Sequence, residues 1–263
     1  MGSSGNEAIE ELAAFARETL IKLGDESLSY YGRHQTGKRF DENLVTAAEL
    51  HLQELFDHLV AARFPQHSVF NDGPVNESYT HDATRYLWIV DPIDGVDNFQ
   101  AGIPVWGMSL ALLENFWPVL GMFYMPATGD LFHALAAGKA YHGNSVISIP
   151  DSPDDIDDES VLLTFSRFHQ HYTPQFPGKI RNMGCTAAHV CYVAHGRADA
   201  AVIANESYRG LAATRVILEA AGGKMFKMDG SGFFLNEYLD GERIGEHLLV
   251  VAPNRYASVR ECL

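Results

Sequence analysis

Residues 88–99 read Trp-Ile-Val-Asp-Pro-Ile-Asp-Gly-Val-Asp-Asn-Phe, an apolar run that ends in a turn carrying two carboxylates. Pro92 fixes its own φ, and Gly95 permits a tight backbone path. Asp91 and Asp94 are therefore expected to converge at a strand end, with the Ile93 carbonyl beside them. Two carboxylates and a carbonyl form a hard-cation site. They suit Mg²⁺, which takes few protein oxygens and keeps positions open for water and phosphate oxygens. The bland alternative is an Asp-rich turn capping a short helix after Gly95, where Asp and Asn are favoured.

Other residues signal chemistry more weakly. His169-Gln170-His171 is the tight pair among twelve histidines, but its alternation beside Tyr172 and Pro174 reads as loop surface rather than a zinc site. Gly222-Gly223 reads as a helix end with glycine in the left-handed region, not as a phosphate loop.

The elements that must position the carboxylates follow from periodicity. Leu12, Phe15, Ala16, Leu20 and Leu23 recur at helical spacing, as do Leu44, Ala48, Leu52, Leu55, Phe56 and Leu59, so two amphipathic helices open the chain. Phe64-Pro65 stops the second before a short strand at 68–70. Short apolar runs at 87–90, 107–113, 119–124, 130–134 and 140–142, bounded by Gly, Pro and Asn, predict an antiparallel meander covered by those helices. Residues 150–159 hold six acids and two prolines and read as an exposed connection. Beyond it, strands at 161–165, 200–203 and 247–251 alternate with helices at 186–194 and 211–221. Residues 1–149 thus read as an α+β half and residues 150–263 as an α/β half.

Composition excludes several classes. Nineteen basic against thirty-four acidic residues give a net charge of −15, which repels nucleic acid and anionic membranes. Cys185, Cys191 and Cys262 form no CxxC pair, arguing against a disulfide framework or thiolate zinc and for a reducing compartment. The start lacks a secretory pattern, and no apolar run approaches the roughly 18 residues of a membrane span. The expectation is a cytoplasmic, unanchored protein.

Asp91-Pro92-Ile93-Asp94-Gly95-x-x-Asn98-Phe99 resembles the DPIDGTxNF signature of the inositol monophosphatase superfamily, Mg²⁺-dependent, lithium-sensitive phosphatases that include fructose-1,6-bisphosphatase. Other landmarks fall in order over nearly the whole chain. Lys38 and Asn43 to Glu49 resemble its K…DLVTxxD segment, Arg181-x-x-Gly184-Cys185-Thr186-Ala187-Ala188 its RxxGSAA, and Gly196 to Ala200 its GRxDA. The resemblance implies a layered αβαβα sandwich, often dimeric, with the active site between the halves and a small phosphorylated molecule as substrate. It also implies that Asp91, the Ile93 carbonyl and Asp94 hold metal, and that Gly95, Val96, Asp97, Cys185 and Thr186 lie near the substrate.

Departures from the pattern bear on activity. Val96 stands where the family's Thr orients the attacking water, and loss of a positioned general-base contact costs about 10²- to 10⁴-fold. Asn71-Asp72-Gly73 replaces GEE, leaving Asp72 as the expected metal ligand. Arg209-Gly210 replaces the Trp-Asp of WDxAAG, so Gly210 marks a lost carboxylate ligand, and Ile203 falls by ungapped count where inositol-specific members hold a sugar-binding Glu. Glu206 and Asp97 are the residues that could compensate. Arg209 offers a guanidinium to phosphate. Cys185 could be a reactive thiol if a helix N-terminus activates it, or simply a small buried residue. The expected function is a Mg²⁺-dependent phosphomonoesterase. The alternative is an impaired homologue that binds a phospholigand or an interaction partner.

Overall fold

A computed structural model describes residues 3–33, 42–70, 85–150, 156–238 and 243–263. Two long helices, α1 (Ser3–Ser27) and α2 (Glu42–Arg63), open the chain. Their apolar stripes bury Leu12, Ala16, Leu20 and Leu23 with Ala48, Leu52, Phe56 and Val60. The first sheet has seven strands in chain order: β1 (Ser68–Val69), β2 (Tyr86–Asp94), β3 (Gly107–Glu114), β4 (Trp117–Met125), β5 (Asp130–Leu135), β6 (Ala140–His142) and β7 (Ser145–Ile147). β1 runs parallel to β2, and the rest pair antiparallel as a meander. The six-residue helix α3 (Val96–Ala101) interrupts it after β2.

The second sheet contains β8 (Val161–Thr164), β9 (Lys179–Arg181), β10 (Ala200–Ile203), β11 (Lys224–Lys227) and β12 (Leu248–Val251), in the order β11-β12-β10-β8-β9. Between the sheets lie α4 (Thr186–Ala194) and α5 (Tyr208–Ala220), and α6 (Tyr256–Glu261) closes the chain. Side-chain alternation assigns the layers, because successive strand residues point to opposite faces. Trp88 and Val90 pack under the first two helices, whereas Leu87 and Ile89 join the core built on α4 and α5. In β10, Ala201 and Ile203 face that same middle core while Ala200 and Val202 face the layer holding Val259 of α6. Helix, sheet, helix, sheet, helix is the αβαβα sandwich.

The short strands β9 and β11 and the closing helix α6 were not legible as apolar runs. β9 and β11 carry Lys or Arg at both ends and sit at the sheet's edges, where one side meets solvent. α5 begins three residues earlier than its apolar pattern, because Ser207 caps it, with its Oγ accepting from the Gly210 N–H at 3.1 Å. α5 also presses on β4. A Cβ at Gly121 would meet the Ala213 carbonyl and Val216, so only glycine allows this approach. Among the described residues no helix is long and apolar enough to cross a membrane.

Candidate active site

In a regular strand, residues three apart point to opposite faces, so the expected convergence of Asp91 and Asp94 requires a break in strand geometry. A bulge supplies it. Asp91 pairs with Ser109 and Asp94 with Gly107, so three steps on β2 face two on β3. The extra residue falls within Pro92-Ile93, where proline has no N–H for the ladder. Both aspartates consequently line one cleft of about 790 Å³ together with Gly95, Val96, Asp97, Glu206, Arg209 and Arg243.

The backbone after the bulge is tightly fixed. Gly95 has φ 84°, and a Cβ there would lie 3.0 Å from the Val105 carbonyl oxygen and 3.1 Å from that of Gly184. Gly95 therefore serves close approach as well as turn geometry. No side chain caps α3, so the capping alternative for the Asp-rich turn has no hydrogen bond behind it, and Asp97 stands exposed in the first turn. Asn98 is buried and donates from Nδ2 to the carbonyls of Val105 at 2.6 Å and Met183 at 2.7 Å, tying the motif to the loop before α4.

Asp94 reaches that helix. Its Oδ2 accepts from the Ala187 N–H at 2.5 Å and from the Cys185 thiol at 3.2 Å, so it satisfies N-terminal donors of α4. Burial raises its carboxyl above the ordinary range against these hydrogen bonds. Cys185 is fully buried, and burial and the neighbouring Asp94 push its thiol well up, so it is a hydrogen-bond donor rather than an activated nucleophile.

Glu206 approaches from the loop between β10 and α5. Thr186 donates from Oγ1 to its Oε1 at 2.7 Å. Its main chain is pinned by the Ile244 N–H on its carbonyl at 2.8 Å. Surrounding protein strips its hydration and, with Asp94 and Asp91 nearby, raises its carboxyl to about 8 against the opposing Thr186 hydrogen bond and Arg243. Gly210 stands beside it: a Cβ there would lie 3.2 Å from Glu206 Oε2 and 3.5 Å from Asp91 Oδ2.

The structure distributes the sequence-derived residues unevenly. Asp91, Ile93, Asp94, Gly95, Val96, Asp97 and Arg209 line the main cleft. Cys185 and Thr186 line an adjoining cleft of about 500 Å³ that shares Asp94, Gly184 and Glu206 with the first. Ile203 is corrected: at 1% exposure it packs in the middle core and lines neither cleft, because its position in β10 points it between the sheets. Asp72 and Lys38 lie outside the described residues. Sequence reasoning did not single out as site residues Glu49, Gln53 and Arg243 in the main cleft, nor His171, His189 and His247 in the adjoining one. Glu49 is raised by burial and lowered by Arg209. Its signal was available, since it falls on the cleft side of an amphipathic helix.

Among the described residues, no three of His, Cys, Asp or Glu form a group that could by itself hold a metal ion. Mg²⁺ asks for less, being held by one or two carboxylates with waters and phosphate oxygens completing its shell. Asp91, Asp94 and Glu206 all line the one cleft, and Glu206 Oε2 and Asp91 Oδ2 converge on the space beside Gly210. The donor set therefore fits Mg²⁺.

An αβαβα sandwich with a carboxylate-lined cleft beside its central helices defines the class of protein. The family description "Inositol monophosphatase family" matches residues 8–260. A histidinol-phosphatase of Chlorobaculum parvum is 30% identical over 86% of this chain and 88% of its own length. A fructose-1,6-bisphosphatase/inositol-1-monophosphatase of Aquifex aeolicus is 23% identical over 95% and 96% of the two chains. The inositol monophosphatase structure from Thermotoga maritima superposes with a TM-score of 0.77 at 22% identity, covering 96% of each chain. This chain belongs to the inositol monophosphatase family.

Proposed function

We propose that this chain is a Mg²⁺-dependent phosphomonoesterase acting on a small phosphorylated polyol, sugar or nucleotide. The observation that carries the reading is the delivery of Asp91, Asp94 and Glu206 to one cleft by two separate elements, the bulged end of β2 and the loop before α5. Asp91, the Ile93 carbonyl and Asp94 would hold the ion, and the sequence pattern assigns Asp72 as a further ligand. Bound Mg²⁺ supplies neutralisation of the phosphoryl oxygens and a lowered pKa for an attacking water. Arg209 and Arg243 line the same cleft and offer guanidiniums to phosphate oxygens. The leaving alcohol would occupy the adjoining cleft beside Cys185 and Thr186, where His171, His189 and His247 bring imidazoles.

A second reading, a phospholigand-binding homologue without turnover, is favoured by one observation. Val96 lines the cleft and has no hydroxyl to orient water. Phosphate release decides between the two. The panel comprises inositol monophosphates, fructose-1,6-bisphosphate, 3′-phosphoadenosine-5′-phosphate and, because a relative is a histidinol-phosphatase, histidinol phosphate. Mg²⁺-dependent release that disappears in Asp91→Asn supports the phosphatase. Release no greater than that control across the panel supports the binding protein.

A further inference from the structure

We infer that Glu206 is a cation ligand of the cleft, its carboxylate standing beside that of Asp91 in space left open by the missing side chain at Gly210. The inference rests on the Mg²⁺ reading above and extends it to a residue outside the DPIDG motif.

Three observations carry it. First, Glu206 Oε2 and Asp91 Oδ2 both come within contact distance of one point, 3.2 Å and 3.5 Å from where a Cβ on Gly210 would stand. Two carboxylates from different elements aimed at the same small volume repel each other unless a proton or a metal cation lies between them, and a divalent cation satisfies both charges at once. Second, the two oxygens of Glu206 are treated differently. Oε1 accepts from Thr186, whereas among the described residues Oε2 takes no hydrogen bond, although the carboxylate is surrounded by protein. Oε2 therefore faces the open cleft with no protein donor, placed to meet a ligand there, and a cation is the partner its neighbours suggest. Third, the geometry is built rather than incidental. The Ile244 N–H holds the Glu206 carbonyl, Arg243 Nη1 donates to the Asn205 carbonyl at 2.8 Å, and Ser207 holds the Gly210 N–H. Asn205 adopts φ 58°, a left-handed conformation that turns the chain into position just before Glu206.

In the resembling family the ligand at position 210 is an Asp on the first turn of the helix. Here a glutamate four residues earlier reaches the same place with a longer side chain, and glycine at 210 keeps that place clear. A loss of the motif's letter is thus separable from a loss of its carboxylate.

The test is Mn²⁺ binding, followed by depletion of the free-ion electron paramagnetic resonance signal with inorganic phosphate present, so that turnover is not needed. Glu206→Gln is expected to weaken binding by at least about 10-fold, the scale seen even for groups that only support a ligand. Glu206→Ala combined with Gly210→Asp is expected to bind more tightly than Glu206→Ala alone, because the aspartate returns a carboxylate to the vacated volume. That rescue also guards against a misfolded single variant. Unchanged affinity in Glu206→Gln, or no rescue in the double variant, overturns the inference while leaving the Mg²⁺ reading standing. An unsubstituted protein that binds no Mn²⁺, like Asp91→Asn, overturns both.

Discussion

The two walls of the cleft solve one problem, presenting carboxylates to a point, by different means. The wall from Asp91 to Phe99 is fixed by its backbone. A bulge, a proline without an N–H, a left-handed glycine whose added Cβ would crowd the Val105 and Gly184 carbonyls, and an asparagine bonded to the Val105 and Met183 carbonyls leave little room for substitution. The wall from Asn205 to Gly210 is a loop feeding a helix, and there a side chain of suitable length does the placing. Between these two walls, departures from the family pattern accordingly fall on the second and, on the first, at Val96, whose side chain is not held by any of the backbone constraints around it. A site's letters drift where reach can substitute for position.

The largest effect that would test this contrast lies on the rigid wall. Asp91→Asn keeps the shape of the bulge and removes the charge, so Mg²⁺-dependent phosphate release is expected to fall on the order of 10³-fold, the scale of lost transition-state electrostatics. A steady-state assay at saturating Mg²⁺ reads it. A loss below about 10-fold would mean that the loop wall, rather than the bulge, holds the catalytic charge.

Between the walls stands α4, whose buried His189 accepts the Met183 N–H on Nε2 at 3.1 Å, while Asn98 holds the Met183 carbonyl. Burial pushes this imidazole down to about 4. Between the ordinary histidine value near 6.5 and about 4, the unfolded chain takes up a proton that the folded chain refuses. Stability is therefore lost as pH falls through that window and unaffected above it, by roughly 3 kcal/mol in full. His189→Gln keeps an acceptor without a titrating group. Raised Asp94 and Glu206 act in the opposite direction but are common to both proteins, so the difference between their urea midpoints isolates His189. Equal pH dependence from pH 7 to 4 would refute the assignment.

The layered fold was legible because its strands are apolar on both faces or alternate cleanly, and because α1 and α2 carry regular stripes. The edge strands β9 and β11 escaped, since a partner on one side only leaves lysine and arginine free to occupy them. Asp91 and Asp94 were legible as a pair, yet the reason they converge, one extra residue against β3, is a pairing fact with no local signature. Ile203 shows the opposite failure: an ungapped count onwards from Asp199 reaches the last residue of β10, whose side chain belongs to the core. Glu206 could be suspected from its nearness in sequence to Gly210. Its approach to Asp91 and Thr186 depends on elements far apart in the chain.

Val96→Thr would sharpen the comparison by restoring one letter where the rigid backbone has already set the position. Val and Thr share a branched shape, and Val96 opens α3 on the cleft wall, so the change costs little packing. A gain in kcat on the order of 10-fold is expected, part of the full contribution of a positioned proton acceptor. No gain would show that Asp97 or another group already orients the water.

The smallest effect belongs to the loop wall, and its value lies in two readouts moving apart. Gly210→Ala adds helix propensity worth up to about 1 kcal/mol in a helix interior, and less in a first turn, where Gly210 stands. Its Cβ would sit 3.2 Å from Glu206 Oε2, close enough that the carboxylate must yield by a few tenths of an ångström. Thermal stability without metal should rise slightly or stay level, whereas Mn²⁺ affinity should fall by roughly a few-fold, since ligand geometry tolerates only about half an ångström of displacement. If the methyl group changes both quantities in the same direction, Gly210 is serving the helix and not the carboxylate beside it. If only affinity falls, the glycine is kept for the space it leaves.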